Sequence, residues 1–232
     1  MFERIKKWVA RSPDSQPEQA DLQAVEAWAM ARELGFESLF NDGDFALTGQ
    51  QAVWSWRLER TEPVRDFIQG AELRGRADVV LPEDVAVMLI NRPLKEDLEK
   101  RVYEQVTHSV QTTLDADLPE EARWLSLYDE VGWSTAPLEF WDRYAALADT
   151  RAHAQQWLEG DLLPLLMAWP TSAVQQITPF ILQLQRGRVY LRMEYPHNDV
   201  PTLEHAVAVF TQACISAQLL AQLLSTDGAE PI

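Results

Sequence analysis

The first strong apolar pattern in the chain has the period of an α-helix. Between residues 20 and 34, apolar side chains recur at intervals of three and four, which places them on one face of a helix. These side chains are Leu22, Val25, Trp28 and Ala29. Gly35 follows, and glycine commonly stands just after a helix ends. The pattern therefore predicts an amphipathic helix over residues 20–34.

Alternation of apolar and polar residues, the period of a β-strand, replaces the helical pattern further along. It is clearest in residues 53–60 and 72–81, and residues 85–90 form a short apolar run. An antiparallel sheet with one face on the core and the other in water produces this alternation. We therefore expect three antiparallel strands in this part of the chain.

The middle of the chain mixes the two periods. Residues 94–113 carry an apolar residue at every fourth position and predict a helix, whereas residues 123–131 alternate and predict a strand. A long helix is expected after Pro137. Gly160 or Pro164 should end or bend it, because glycine weakens a helix interior and proline removes a backbone donor.

The last third of the chain predicts a hairpin followed by a helix. Two alternating runs in residues 179–195 are separated by Arg186 and Gly187. Glycine supplies the positive φ that a tight hairpin turn requires. Residues 201–224 then return to a helical period, so the final element is expected to be a long helix.

The order helix, strands, helix occurs twice, which favours an α+β fold with antiparallel sheet and packed helices. One interpretation divides the globular region, residues 20–224, into two similar halves, residues 20–114 and 122–224. We find no residue-level repeat between them. Residues 1–19 are expected to be a basic amphipathic segment with a proline-containing linker, and residues 225–232 a flexible tail.

Composition indicates a globular protein and excludes several other classes. The chain has 232 residues, of which 47% are hydrophobic and 24% charged, as in ordinary folded domains. A disordered or fibrous chain is therefore excluded. Cys214 is the only cysteine, which excludes an internal disulfide and suits a reducing compartment. We expect a cytoplasmic protein, because the first residues also lack the apolar stretch of a secretory leader.

The charge balance restricts the kind of partner. Thirty-six acidic residues against twenty basic ones give a net charge of −16. Nucleic acid is not expected as a partner, because binding its phosphates depends on clustered lysine and arginine. The charge instead favours a basic partner.

The first eleven residues differ in charge from the rest, with four basic side chains against one acidic side chain. Phe2, Ile5, Trp8 and Val9 fall on one face of the helix that this spacing predicts. One interpretation is that the helix docks on the acidic body of its own chain. The other is weak binding to an anionic membrane surface or to a partner's groove, with Trp8 as an exposed interface anchor.

The final helix carries no charged residue between positions 206 and 224. A helix with one face in water normally carries charges on that face. Glutamines within a barely sufficient length argue against a membrane span. Two interpretations stay open: the helix is buried on two sides, or it forms an interface with a second copy or another protein. The candidate interface residues are Phe210, Cys214, Leu220 and Leu223.

Three arginines, Arg57, Arg74 and Arg76, fall on the polar face of neighbouring predicted strands. Guanidinium groups gathered on one sheet face can bind a carboxylate or a phosphate through paired hydrogen bonds. The alternative is ordinary cross-strand pairing with acids on the same face, such as Glu59 and Asp78.

His197 and His205, with two carboxylates between them, are weak candidates for a metal site. Their spacing matches no established ligand pattern. Asp199 is better explained as the cap of the last helix, with Pro201 in its first turn. We therefore expect no bound metal and no cofactor.

Motifs of nucleotide-binding, metal-dependent and nucleophilic enzymes do not occur in the sequence. The first hypothesis is therefore an acidic protein-interaction module: an adaptor, a chaperone-like protein or an inhibitor of a basic partner. It would bind another protein or a second copy of itself. Two alternatives are an enzyme whose site is assembled from distant residues, and a peripheral membrane protein held by residues 1–11.

Overall fold

A computed structural model of the protein describes residues 15–39, 43–51, 54–108, 119–170, 179–195 and 198–227. Within these ranges the chain forms nine strands and seven helices. The strands are β1 (Gly35–Ser38), β2 (Phe45–Gln50), β3 (Ser55–Thr61), β4 (Glu72–Asp78), β5 (Ala86–Asn91), β6 (Asp129–Val131), β7 (Tyr144–Ala148), β8 (Phe180–Gln185) and β9 (Arg188–Glu194). The helices are α1 (Ser15–Ala31), α2 (Arg92–His108), α3 (Glu120–Leu127), α4 (Leu138–Arg143), α5 (Arg151–Leu158), α6 (Leu162–Met167) and α7 (Val200–Asp227).

The nine strands form one antiparallel sheet in the order β1-β2-β3-β4-β9-β8-β5-β7-β6. The predicted α+β fold is therefore confirmed. Residues 20–114 and 122–224 both contribute to this sheet, because β4 pairs with β9 and β5 pairs with β7 and β8. A relationship between the two parts of the sequence stays a hypothesis.

The main core lies on one face of the sheet, where helices α1, α5, α6 and α7 pack. Phe210 of α7 is fully buried and reaches the backbone of β4 at Gly75, where any larger residue would meet its ring. Trp157 of α5 is also fully buried, and its indole Nε1 donates to the carbonyl oxygen of Ala213 at 2.9 Å. These contacts make α7 a central helix of the core.

The opposite face of the sheet is only half covered. Helices α2 and α3 pack over β5, β7 and β8 and enclose a second apolar core. Met88, Ile90 and Ile181 supply the sheet side of this core, and Leu98 and Trp124 supply the helix side. Strands β2, β3, β4 and β9 extend beyond this cover, so their polar face borders solvent.

Several predicted elements are confirmed. Helix α1 covers most of residues 20–34, α2 begins close to residue 94, and α7 includes the predicted final helix. The β8–β9 hairpin turns at Arg186 and Gly187, whose φ angles are 50° and 67°. Both residues therefore adopt the left-handed conformation that a two-residue hairpin turn requires.

The strand predicted at residues 123–131 is wrong. The chain is helical from Glu120 to Leu127 and forms only the short strand β6 afterwards. Two glutamates occupy the first helical turn, where the helix dipole favours negative charge. The rings of Trp124 and Tyr128 are tilted by 41° with centroids 4.7 Å apart, a contact between positions four apart that suits the helical turn.

The long helix predicted after Pro137 is also wrong. Short helices α4, α5 and α6 replace it, and strand β7 stands between the first two. All five residues of β7 are buried, and β7 pairs with β5 on one side and β6 on the other. Its alanines are good helix formers, but pairing inside the sheet outweighs that local preference. Strands β1 and β2 were not predicted.

Candidate functional site

The uncovered half of the sheet forms an open depression of about 1010 Å³, which we call the arginine trough. Residues of β2, β3, β4, β8 and β9 form its floor, and α3 with the loop before β4 forms one wall. Seven arginines line it: Arg57, Arg65, Arg74, Arg76, Arg186, Arg188 and Arg192. Five carboxylates line it as well: Glu33, Glu59, Asp78, Glu120 and Glu121. A net positive surface thus exists on a protein whose total charge is −16.

Strand register places arginines directly opposite each other across the floor. Arg57 of β3 faces Arg76 of β4, and Arg74 of β4 faces Arg192 of β9. Like charges in opposite positions on antiparallel strands are unfavourable. Carboxylates of the chain that lie among these arginines offset this repulsion.

Glu59 is the first of three carboxylates that each bridge two arginines. Its Oε1 atom accepts a hydrogen bond from Nε of Arg57 at 2.6 Å, and its Oε2 atom lies 3.6 Å from Nη2 of Arg74. Hydrogen bonding to Glu59 is the main reason that the pKa of Arg57 is raised. Glu59 thus joins β3 to β4 on the trough floor.

Glu121 is the second bridging carboxylate and is almost fully buried. Both of its oxygens accept from Nε of Arg65, at 2.9 and 3.0 Å, and Oε1 lies 3.5 Å from Nε of Arg192. Burial lowers the pKa of Arg192, and the attraction of Glu72, which also contacts it, only partly offsets this effect. This ion cluster fixes α3 to the sheet at one end of the trough.

Asp78 is the third bridging carboxylate and the most exposed. Its Oδ1 atom accepts from Nε of Arg188 at 2.7 Å and from Nη2 of Arg76 at 3.5 Å. The bond from Arg188 is the main reason that the pKa of Asp78 is lowered. Six of the seven arginines thus form three guanidinium pairs, each joined by one carboxylate of the chain.

Backbone donors close the trough at the end where two acidic side chains face each other. Glu72 of β4 lies opposite Glu194 of β9. The backbone N–H of Val64 donates to Glu72 at 2.7 Å, and that of Gln69 donates to Glu194 at 2.8 Å. The loop before β4 therefore binds both carboxylates, and neither of them lines the open part of the trough.

The structure brings the three predicted anion-binding residues, Arg57, Arg74 and Arg76, onto one surface. It adds Arg188 and Arg192, which the sequence analysis missed. The sequence does indicate that these two arginines lie on the polar face of the predicted hairpin, because both alternate with apolar residues there. What the sequence did not show is that β9 lies beside β4.

The candidate interface residues of the last helix occupy different environments. Phe210, Cys214 and Leu220 are buried in the chain's own core, whereas Leu223 is half exposed. Burial raises the pKa of the Cys214 thiol, which keeps it protonated and unreactive. Trp8 lies outside the described residues, so binding of the N-terminal segment to a membrane or partner stays a prediction.

His205 has a structural environment. Its Nε2 atom lies 2.8 Å from the carbonyl oxygen of Leu165, and its ring meets the edge of Trp169. Asp199 caps α7 by accepting from the N–H of Thr202 at 3.0 Å. The other candidate ligand, His197, is not among the described residues. Within the part of the chain that the structure describes, no group of three or more potential ligands is placed to hold a metal.

Among the described residues, α7 is the one helix long and apolar enough to cross a membrane by length and composition. Ala206, Val209 and Ala213 are fully buried along its inner side. Core helices of folded domains pass the same test, so the length and composition of α7 are weak evidence for a membrane span.

Comparison with known proteins adds one weak structural likeness. No protein-family model and no curated protein sequence matches the chain. A crystal structure of the mycobacterial trehalose monomycolate transport factor A, TtfA, matches 89% of this chain and 95% of that chain. The identity is 9% and the TM-score is 0.45. A likeness at this level assigns no ligand or partner, so function has to be inferred from the residues themselves.

Proposed function

We propose that the chain is a protein-interaction module that binds an acidic segment of a partner protein in the arginine trough. The observation that carries this proposal is the gathering of seven arginines around one open sheet face of an acidic protein, five of them on its strands. Arginine binds carboxylates through two parallel hydrogen bonds, which adds geometric specificity to charge attraction. The trough is therefore complementary to an acidic peptide.

The net charge of −16 favours a basic partner at long range but does not prevent this contact. At physiological ionic strength, interactions between exposed charges are largely screened beyond about 8 Å. A carboxylate within the trough would then respond mainly to the arginines around it. Strands in a sheet lie about 4.8 Å apart, so the floor from β2 to β8 is wide enough for one extended segment.

The test is binding of a fluorescein-labelled hexaglutamate peptide, measured by fluorescence anisotropy. Replacing Arg57 and Arg76 together by glutamine should weaken binding at least about tenfold, since the loss of even one hydrogen bond to a charged group costs about 1.5–3 kcal/mol and about 1.4 kcal/mol is a factor of ten. The matched control replaces Lys100 and Arg151 by glutamine. Both are exposed outside the trough lining, and their replacement makes the same change in charge.

Three results would count against this function. The wild-type protein could fail to bind hexaglutamate, the control could lose as much affinity as the trough variant, or labelled hexalysine could bind more tightly than hexaglutamate. The last result would support a basic partner on the acidic remainder of the surface. Equal melting temperatures of the variants establish that they remain folded.

Self-association is a second candidate function, favoured by an exposed apolar stripe on α7. Ile215, Leu219 and Leu223 are spaced four residues apart and are all exposed, by 39%, 54% and 50%. They lie in the stretch of helix that lacks charge, so two copies could meet there without direct repulsion between charged side chains.

Light scattering after size-exclusion chromatography tests this candidate at micromolar concentration. A dimer should dissociate when Leu219 is replaced by glutamate and should persist when the exposed Met30 of α1 is replaced by glutamate. A wild-type monomer, or equal effects of the two substitutions, would exclude the stripe as the dimer interface.

A further inference from the structure

We propose that Asp78 is a built-in competitor for the ligand of the arginine trough, and that a partner carboxylate first binds where Asp78 now joins Arg76 and Arg188. This inference rests on the proposed function, because it assigns an order and a regulation to binding at the same surface. Its basis is a comparison of the three bridging carboxylates.

The three carboxylates differ in how firmly the fold holds them. The Glu121 side chain is 3% exposed and is anchored by a buried ion cluster, and the Glu59 side chain is 30% exposed. The Asp78 side chain is 71% exposed and stands at the end of β4. An exposed ion pair contributes little stability, so Asp78 can be displaced at small cost.

The way Asp78 binds its arginines also leaves room for a better ligand. Both Arg76 and Arg188 meet the same oxygen, Oδ1, and the contact with Arg76 is long at 3.5 Å. A guanidinium carries five N–H donors, of which Arg188 uses its Nε towards Asp78. An incoming carboxylate that offers both oxygens to one guanidinium forms the stronger, two-bond arrangement.

The residues directly paired with Arg76 on β9 and with Arg188 on β8 are polar and uncharged. Strand register puts Tyr190 beside Arg76 and Gln185 beside Arg188. Arg76 and Arg188 are themselves about half exposed. A partner carboxylate can therefore reach both guanidinium groups from solvent, and Asp78 is the acid that it has to displace.

The experiment measures hexaglutamate affinity for Asp78→Asn and for a matched control, Glu33→Gln. Glu33 also lines the trough, and its substitution removes the same negative charge. Asp78→Asn should tighten binding about two- to fivefold, the range that exposed ion pairs cover. Glu33→Gln should produce a clearly smaller gain, because it releases no arginine pair.

The results separate this inference from the proposed function. A gain for Asp78→Asn that exceeds the gain for Glu33→Gln, and that shrinks as salt is raised, supports competition by Asp78. Equal gains in hexaglutamate affinity for the two variants would mean that the effect comes from net charge alone. Weaker binding by Asp78→Asn would mean that Asp78 holds the arginines in position for the ligand. Either outcome overturns the inference but leaves the proposed function intact if the Arg57 and Arg76 variant still loses affinity. Absence of hexaglutamate binding in every form would overturn both.

Discussion

Gly49 shows how a single missing side chain shapes the core beneath the arginine trough. It pairs with Trp56 across β2 and β3, and a Cβ atom at this position would overlap the indole ring. Glycine therefore lets the indole lie against the backbone of β2. Trp56 in turn meets Phe210 of α7 edge to face, with ring centroids 6.3 Å apart. The trough floor is thus supported from below by a packed aromatic pair.

Replacing Gly49 by alanine should destabilise the protein by about 1–3 kcal/mol, the usual cost of overfilling a packed core. The control is Gly132→Ala, because the nearest atom to a Cβ atom there is the Cζ2 atom of Trp141 at 3.9 Å, an ordinary contact. Thermal unfolding of the two variants measures the difference. An equal melting temperature for both would mean that Trp56 moves aside without cost.

The alternation of apolar and polar residues was sufficient to predict an arginine-rich sheet face, but it did not show which strands form that face together. Alternation in β3 and β4 placed Arg57, Arg74 and Arg76 on the polar face of the sheet. The same alternation in β9 placed Arg188 and Arg192 on one face of the hairpin. Joining the two sets requires the pairing of β4 with β9, which links residues more than a hundred positions apart. Local periodicity contains no information about such a contact.

At the scale of elements, α3 shows why the alternating pattern in residues 123–131 was misleading. Trp124 and Tyr128 satisfy a helical spacing as well as an alternating one, and short segments often fit both. The helical turn directs Glu121 into the ion cluster with Arg65 and Arg192. This tertiary contact favours the helix over the strand that the sequence also allows.

Glu121→Gln should destabilise the protein by about 1.5–3 kcal/mol, because it removes the buried carboxylate that accepts from Arg65. Glu120 near Arg65 and Glu72 beside Arg192 remain as acidic partners. Glu120→Gln is the neighbouring control. The Glu120 side chain is 63% exposed and lies 3.7 Å from Arg65. Glu120→Gln should therefore lower the free energy of unfolding by less than about 1 kcal/mol. Urea unfolding of the two variants provides the comparison. Similar losses would show that the cluster does not fix α3.

At the scale of the whole molecule, acid should destabilise the fold partly through Glu130 at the far edge of the sheet. Burial raises the pKa of this carboxyl, but hydrogen bonds from Arg92 and Lys95 outweigh burial and lower it below 4.5. A group whose pKa is lower in the folded protein stabilises the fold above its unfolded pKa. That contribution is lost as the pH falls below about 4.5 and through the folded pKa.

Melting temperatures between pH 7 and pH 3 test this expectation. The wild-type protein should lose more stability below pH 4.5 than Glu130→Gln, which lacks the titrating group. Replacing Glu83, an exposed glutamate in a loop, by glutamine should leave the wild-type pH dependence in place. If the melting temperature of Glu130→Gln falls with pH as steeply as that of the wild-type protein, other carboxylates cause the acid sensitivity.

The pairing of β4 with β9 also determines when the binding surface can exist during folding. Arg57, Arg74 and Arg76 precede residue 80, whereas Arg188 and Arg192 follow a further hundred residues. Contacts between such distant segments close late, because a long loop has to be ordered before they form. A nascent chain that has not yet reached β9 therefore presents only half of the surface. Under the proposed function, a partner that needs the complete trough would bind the finished fold and discriminate against unfinished chains.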